Sequence, residues 1–187
     1  MRSIPIISTL VVLAAVGVMI ALGVWQLERR EEKADLLAHY ASAAGLSQEI
    51  AWPREGPGAQ VLYRRAHLTC TAVTARSAVA GRNRNDETGF ARTAACALAG
   101  GGEARVVLGW TRRPDGTGTW QGGEVHGVIA PGPRLVADPP LGGLAANALP
   151  DPSDLPNNHL SYAVQWFAFA LTALVIYAMV LRRRVRS

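Results

Sequence analysis

The chain has 187 residues, 49% of them hydrophobic and 18% charged, with a formal net charge of +5 at pH 7. That length ordinarily means one globular domain, yet residues 3–27 and 155–181 carry no charge, and each run exceeds the ~20 apolar residues that cross a bilayer. Only residues 28–159 remain for a water-exposed body, which argues against a cytosolic enzyme and a multi-domain protein.

The positive charge does not point to nucleic acid. Residues 28–159 hold 14 basic and 14 acidic side chains; the surplus is Arg2 at one end and Arg182, Arg183, Arg184 and Arg186 at the other, just outside the two apolar runs. By the positive-inside rule this places both termini in the cytoplasm and the long middle segment across the membrane. Arg29, Arg30 and Lys33 flank the first run on its outer side and oppose that orientation. The unopposed C-terminal cluster decides, because a long loop translocates largely regardless of its charges.

In chain order, residues 4–27 are expected to form a retained transmembrane helix. The run is longer than the ~7–15 residues of a signal-peptide core and lacks an A-x-A site; Pro5 is tolerable in its first turn. Residues 28–44 continue as a juxtamembrane helical extension ended by Gly45. Residues 45–156 form the expected periplasmic β-rich domain, opening with an irregular connection over 46–62. Ala66, Leu68, Cys70 and Ala72 alternate with polar residues and predict a strand. Turn residues fill 82–89, a second strand covers 90–98, and Gly100-Gly101-Gly102 marks a tight turn. A buried strand over 105–110, a turn over 115–118, and strands over 124–129 and 134–137 complete the set. Five short strands at this spacing predict a small antiparallel sheet or barrel. Residues 157–181 form the second transmembrane helix, capped by Asn157 or Asn158, and 182–187 a cytoplasmic basic tail. The fold class is therefore a membrane protein with two helices flanking a small β-rich domain.

No H-E-x-x-H, G-x-S-x-G, C-x-x-C or G-x-G-x-x-G occurs, so no enzymatic activity is expected. His67 and Cys70 are three apart on a strand, on opposite faces, and do not make a metal pair. Cys70 and Cys96 read as two small buried hydrophobes in preference to a disulfide, and His39 and His126 as solvated. The informative segment is the second apolar run. At 100° per residue His159, Ala163, Trp166, Ala170 and Tyr177 share one line, with Tyr162 and Ala173 beside it. A histidine at a membrane helix is a functional candidate; the plainer reading is an interfacial His above a packing face. The hairpin topology brings Trp25, Arg29 and Arg30 to the same depth, and Ala14, Gly17 and Ala21 are small enough to admit a close neighbour. A flat ligand there would meet an imidazole able to coordinate iron, aromatic walls, and Arg29 or Arg30 for a carboxylate; headgroup contact is the plainer role of those arginines.

Several motifs resemble the surfeit locus protein 1 family of cytochrome c oxidase assembly factors. They are Leu22-Gly23-Val24-Trp25-Gln26-Leu27-Glu28-Arg29, Tyr63-Arg64-Arg65, Leu108-Gly109-Trp110, and Asn158-His159-Leu160-Ser161-Tyr162-Ala163-Val164-Gln165-Trp166-Phe167, followed by Ile176-Tyr177. The stretch 74–104 carries no match, and Val107 and Leu108 depart from the family's usual Asn-Arg-Gly-Trp type sequence. The resemblance implies an inner-membrane protein that assists haem a binding and insertion into oxidase subunit I, with haem a synthase as a further partner. His159 matches the family's proposed haem-binding histidine and would meet the haem iron, with Tyr162, Trp166, Trp25, Arg29 and Arg30 around it. The alternative is a scaffold that holds an oxidase subunit without binding a cofactor.

Overall fold

In the computed structural model, residues 6–115 and 119–186 are described, without the side chains of 185 and 186. Arg2, Pro5 and residues 116–118 of the expected turn lie outside them. The chain forms two compact units, one of Met1–Leu36 with Pro156–Ser187 and one of Leu37–Leu155.

The first unit is a pair of helices. Helix α1, Ile6–Ala44, has no break between the apolar run and its charged extension. It stops where Gly45 donates its N–H back to the Ala41 carbonyl. Helix α2 is His159–Arg186, and the Asn158 carbonyl accepts its first bond, from the Tyr162 N–H. Both helices are long and apolar enough to cross a membrane. Their contact follows a 3-4 spacing. Ala163 and Ala170 of α2 are buried, with His159, Trp166, Ala173 and Tyr177 partly covered between them. On α1 the covered positions include Thr9, Val12, Val16, Met19, Gly23 and Gln26. Such a repeat drifts only slowly around a helix and keeps one seam facing its neighbour. The predicted line on α2 is therefore its packing face. The small residues Ala14, Gly17 and Ala21 are not on the α1 seam. All three are exposed, and nothing lies within 4 Å of the Cβ position at Gly17.

The second unit is a β-barrel. Its strands are β1 (Ile50–Ala51), β2 (Arg65–Arg82), β3 (Thr88–Leu98), β4 (Glu103–Thr111), β5 (Gly123–Ala130) and β6 (Arg134–Ala137), in sheet order β1-β2-β3-β4-β6-β5 with β2 also paired to β5. That last pairing closes the sheet. The barrel is mixed and not purely antiparallel, since β1 runs parallel to β2 and β4 parallel to β6. The parallel pair arises because β6 returns between β4 and β5. The interior is filled by Leu68, Val106, Leu108, Val125, Ile129 and Leu135, all buried. Hydrophobic burial of this kind stabilises the domain at roughly 1.5–3 kcal/mol per large side chain.

Two expectations fail here. The first strand does not end near Ala72 but runs to Arg82, so only residues 83–87 turn the chain. The strand was missed because the ladder shifts between Cys70 and Ala72 and again between Val73 and Ala75, which breaks the alternation that would reveal it. Cys70, in register with Leu98, and Cys96, in register with Val73, have Cα atoms 5.2 Å apart on neighbouring strands, and the two form a disulfide instead of remaining separate thiols. Both are fully buried in the barrel core.

Candidate functional site

His159 is the first residue of α2, and its seam position points the imidazole toward α1. There Nδ1 lies 2.8 Å from the Gln26 Oε1. The carboxamide oxygen can only accept, so Nδ1 is the donor in this bond and Nε2 is the ring nitrogen left free of it. A histidine that ligates a metal ordinarily donates its other ring N–H to such a partner, which sets its tautomer and ring orientation. Gln26 is thus a site residue that sequence reasoning overlooked. The signal was present in the 3-4 spacing of Thr9, Val12, Val16, Met19, Gly23 and Gln26 on α1.

Around this pair the packing is close. Gly23 is buried, and a Cβ there would lie 2.5 Å from the Phe167 ring, so the absence of a side chain at position 23 leaves room for that ring between the helices. The Asn157 amide donates to the Arg30 carbonyl at 3.3 Å, and at the other end of the seam Thr9 and Tyr177 hydroxyls are 2.5 Å apart. Trp166 lies partly covered on the seam and meets Phe169 edge-on, with ring centroids 6.2 Å apart. The remaining candidates are placed otherwise. Tyr162 and Trp25 are about half exposed on outward faces, Arg29 is paired with Glu32, and Arg30 is exposed. The structure therefore brings His159 to Gln26, keeps Trp166 on the same seam two turns further along α2, and leaves Tyr162, Trp25, Arg29 and Arg30 on the surface of the hairpin.

The donor set suits a haem iron in one respect: a half-buried imidazole with one nitrogen already engaged and the other able to coordinate. Arg30 is exposed, and its backbone carbonyl accepts from Asn157. Among the described residues no group of three or more His, Cys, Asp or Glu is placed to hold a metal ion.

In the β-barrel, the remaining motifs serve the fold. Tyr63 is buried with φ of +66°, its ring tilted against that of Tyr40 with centroids 4.9 Å apart, and its N–H bonds the Ile129 carbonyl; burial pushes its hydroxyl pKa up. Gly109 lies under the segment carrying Ala145, whose carbonyl oxygen would be 2.7 Å from a Cβ. His126, expected to be solvated, has companions. It pairs across strands with His67, its Nδ1 is 2.7 Å from Glu49, and its Nε2 is 3.4 Å from Glu124. The bond to Glu49 raises the His126 pKa, and the same bond, with Arg65 beside it, lowers that of Glu49. His39 is exposed, its Nε2 3.4 Å from the Gln60 carbonyl oxygen.

The chain matches the SURF1 family over residues 13–147 and 131–171, a span that takes in both the barrel and the His159 segment. It belongs to that family. SURF1 proteins are cytochrome c oxidase assembly factors, and this membrane-helix-flanked barrel is a member of that assembly class. A search of curated proteins found no match.

Proposed function

We propose that this SURF1 protein assists haem a binding and its insertion into cytochrome c oxidase subunit I, acting as a chaperone and not as an enzyme. In this reading the barrel is periplasmic, both termini are cytoplasmic, and the protein works in the inner membrane beside subunit I and haem a synthase. The observation that carries it is the His159–Gln26 hydrogen bond, which leaves Nε2 as the coordinating nitrogen at the mouth of a membrane helix. When bound there, haem a would supply the iron and the porphyrin that the oxidase needs. The chain's own residues do the holding: His159 ligates, Gln26 keeps the proton on Nδ1, Trp166 provides a flat apolar wall, and Arg30 offers a cation for a propionate.

The test is the visible spectrum of the full chain purified from cells that make haem a. The wild type should carry haem, and His159→Ala should lose it while inserting into the membrane normally. Gln26→Leu should retain haem with a shifted spectrum, because the ligand persists while its hydrogen-bond partner does not. A His159→Ala protein with wild-type haem content and spectrum would sink the ligand assignment. Wild-type protein without stoichiometric haem would favour the scaffold that holds an oxidase subunit.

A further inference from the structure

Two of the chain's four histidines stand side by side on the outside of the barrel. His67 of β2 and His126 of β5 are register partners, and the adjacent Ala66, Leu68 and Val125 fill the interior, so both imidazoles face outward. The His67 carbonyl accepts from the Trp52 N–H and the His126 carbonyl from the Asp138 N–H, so each residue turns its backbone groups away from the other. That makes them a non-hydrogen-bonded pair, the arrangement in which cross-strand side chains come closest. The ring centroids are 6.0 Å apart with planes 38° from parallel, and the side chains are 41% and 44% exposed.

The acids around the pair sort its ring nitrogens. Glu49 Oε2 lies 2.7 Å from Nδ1 of His126 and 4.0 Å from Nδ1 of His67, so both Nδ1 atoms turn to one oxygen. On the other side of His126, Nε2 is 3.4 Å from Glu124 Oε1. A histidine that ligates a metal through one nitrogen ordinarily donates from the other to a carboxylate or carbonyl, and Glu124 occupies that place. Charge favours a cation as well, because Glu49, Glu124 and Asp138 stand around the pair against Arg65 and Arg84. As these groups stand, the proton on His126 draws Glu49 to one imidazole and away from the other. They form a hydrogen-bonded cluster and not a preset cage of three ligands.

We propose that His67 and His126 together bind a divalent transition-metal ion of the kind that prefers imidazole, such as zinc, nickel or copper, through their Nδ1 atoms. The ion takes the place of the Nδ1 proton of His126, which leaves to solvent; Nε2–H stays on Glu124, and Glu49 becomes the ion's counter-charge. With metal–nitrogen bonds of about 2.1 Å, two rings on one ion set their centroids roughly 5–6 Å apart, so side-chain rotation suffices. The bound ion ties β2 to β5 at the pairing that closes the barrel. It uses none of the residues assigned to haem.

The test is a calorimetric titration of the full chain in detergent with zinc. The wild type should bind one equivalent saturably, with excess magnesium leaving the binding unchanged, since magnesium prefers oxygen ligands. His67→Ala and His126→Ala should each remove that equivalent, and His39→Ala should keep it. Glu124→Gln should weaken binding roughly tenfold through the lost carboxylate partner of His126. A second measurement needs no variant: in the wild-type NMR spectrum zinc should shift the imidazole signals of His67 and His126 together and leave those of His39 in place. No saturable binding would overturn the proposal. So would loss in only one of the two alanine variants, or a shift of only one of the two imidazoles, either of which would mark a lone surface histidine.

Discussion

Gly127 has no room for a side chain: a Cβ there would meet the Val136 carbonyl oxygen at 2.1 Å, at the close crossing of β5 and β6. Because the obstacle is backbone and cannot rotate away, Gly127→Ala is expected to destabilise the barrel by ~3 kcal/mol, read from its urea midpoint. The contact between His126 and Glu49 makes a different prediction. The hydrogen bond raises the imidazole pKa above its ordinary 6.5 and lowers the carboxylate below 4.5. A raised pKa contributes stability that is complete below 6.5 and is lost as pH rises through the folded value. A lowered one contributes above 4.5 and is lost as pH falls through the folded value. The pair therefore acts between the two folded values. In an NMR titration the His126 midpoint should lie above 6.5 and fall in Glu49→Gln; an unchanged midpoint in the variant would contradict the pairing.

Among the elements, β2 carries the most consequence. Its two register shifts re-aim the strand, so that its first part closes the barrel against β5 and the rest runs on with β3 as a long hairpin. The disulfide spans 26 residues between neighbouring strands. By the loop-closure argument, Cys96→Ala should lower the unfolding free energy by about 3 kcal/mol, and a reducing agent should do the same to the wild type but not to the variant. The helical pair is held differently, since lipid supplies no hydrophobic drive between helices. Close approach at Gly23 and Ala163 and the polar contacts at Gln26 and Tyr177 hold the seam.

For the molecule as a whole, the proposed topology makes a direct prediction. Alkaline phosphatase inserted near Gly101 should be active and a fusion after Ser187 inactive, and the opposite pattern would remove both the periplasmic barrel and the oxidising compartment that suits its disulfide. The sequence by itself determined the two spans, the strand-rich segment between them and the face of α2 that carries His159. Each is written in a local period, 3-4 spacing or alternation, that needs no distant partner to be read. Half of the candidate site was legible for that reason: His159 and Trp166 share a helical line, whereas Gln26 lies 133 residues from His159 and meets it only across the seam. Tyr162, Trp25 and Arg29 looked equally suitable in sequence because depth in the membrane does not tell which way a side chain points. Tertiary structure alone decided the β2–β5 closure, the parallel β4–β6 pair and the Glu49–His126 contact across 77 residues. All of these are choices of register between segments far apart in the chain, and a bulge that moves register by one residue leaves composition untouched while exchanging the two faces of the strand.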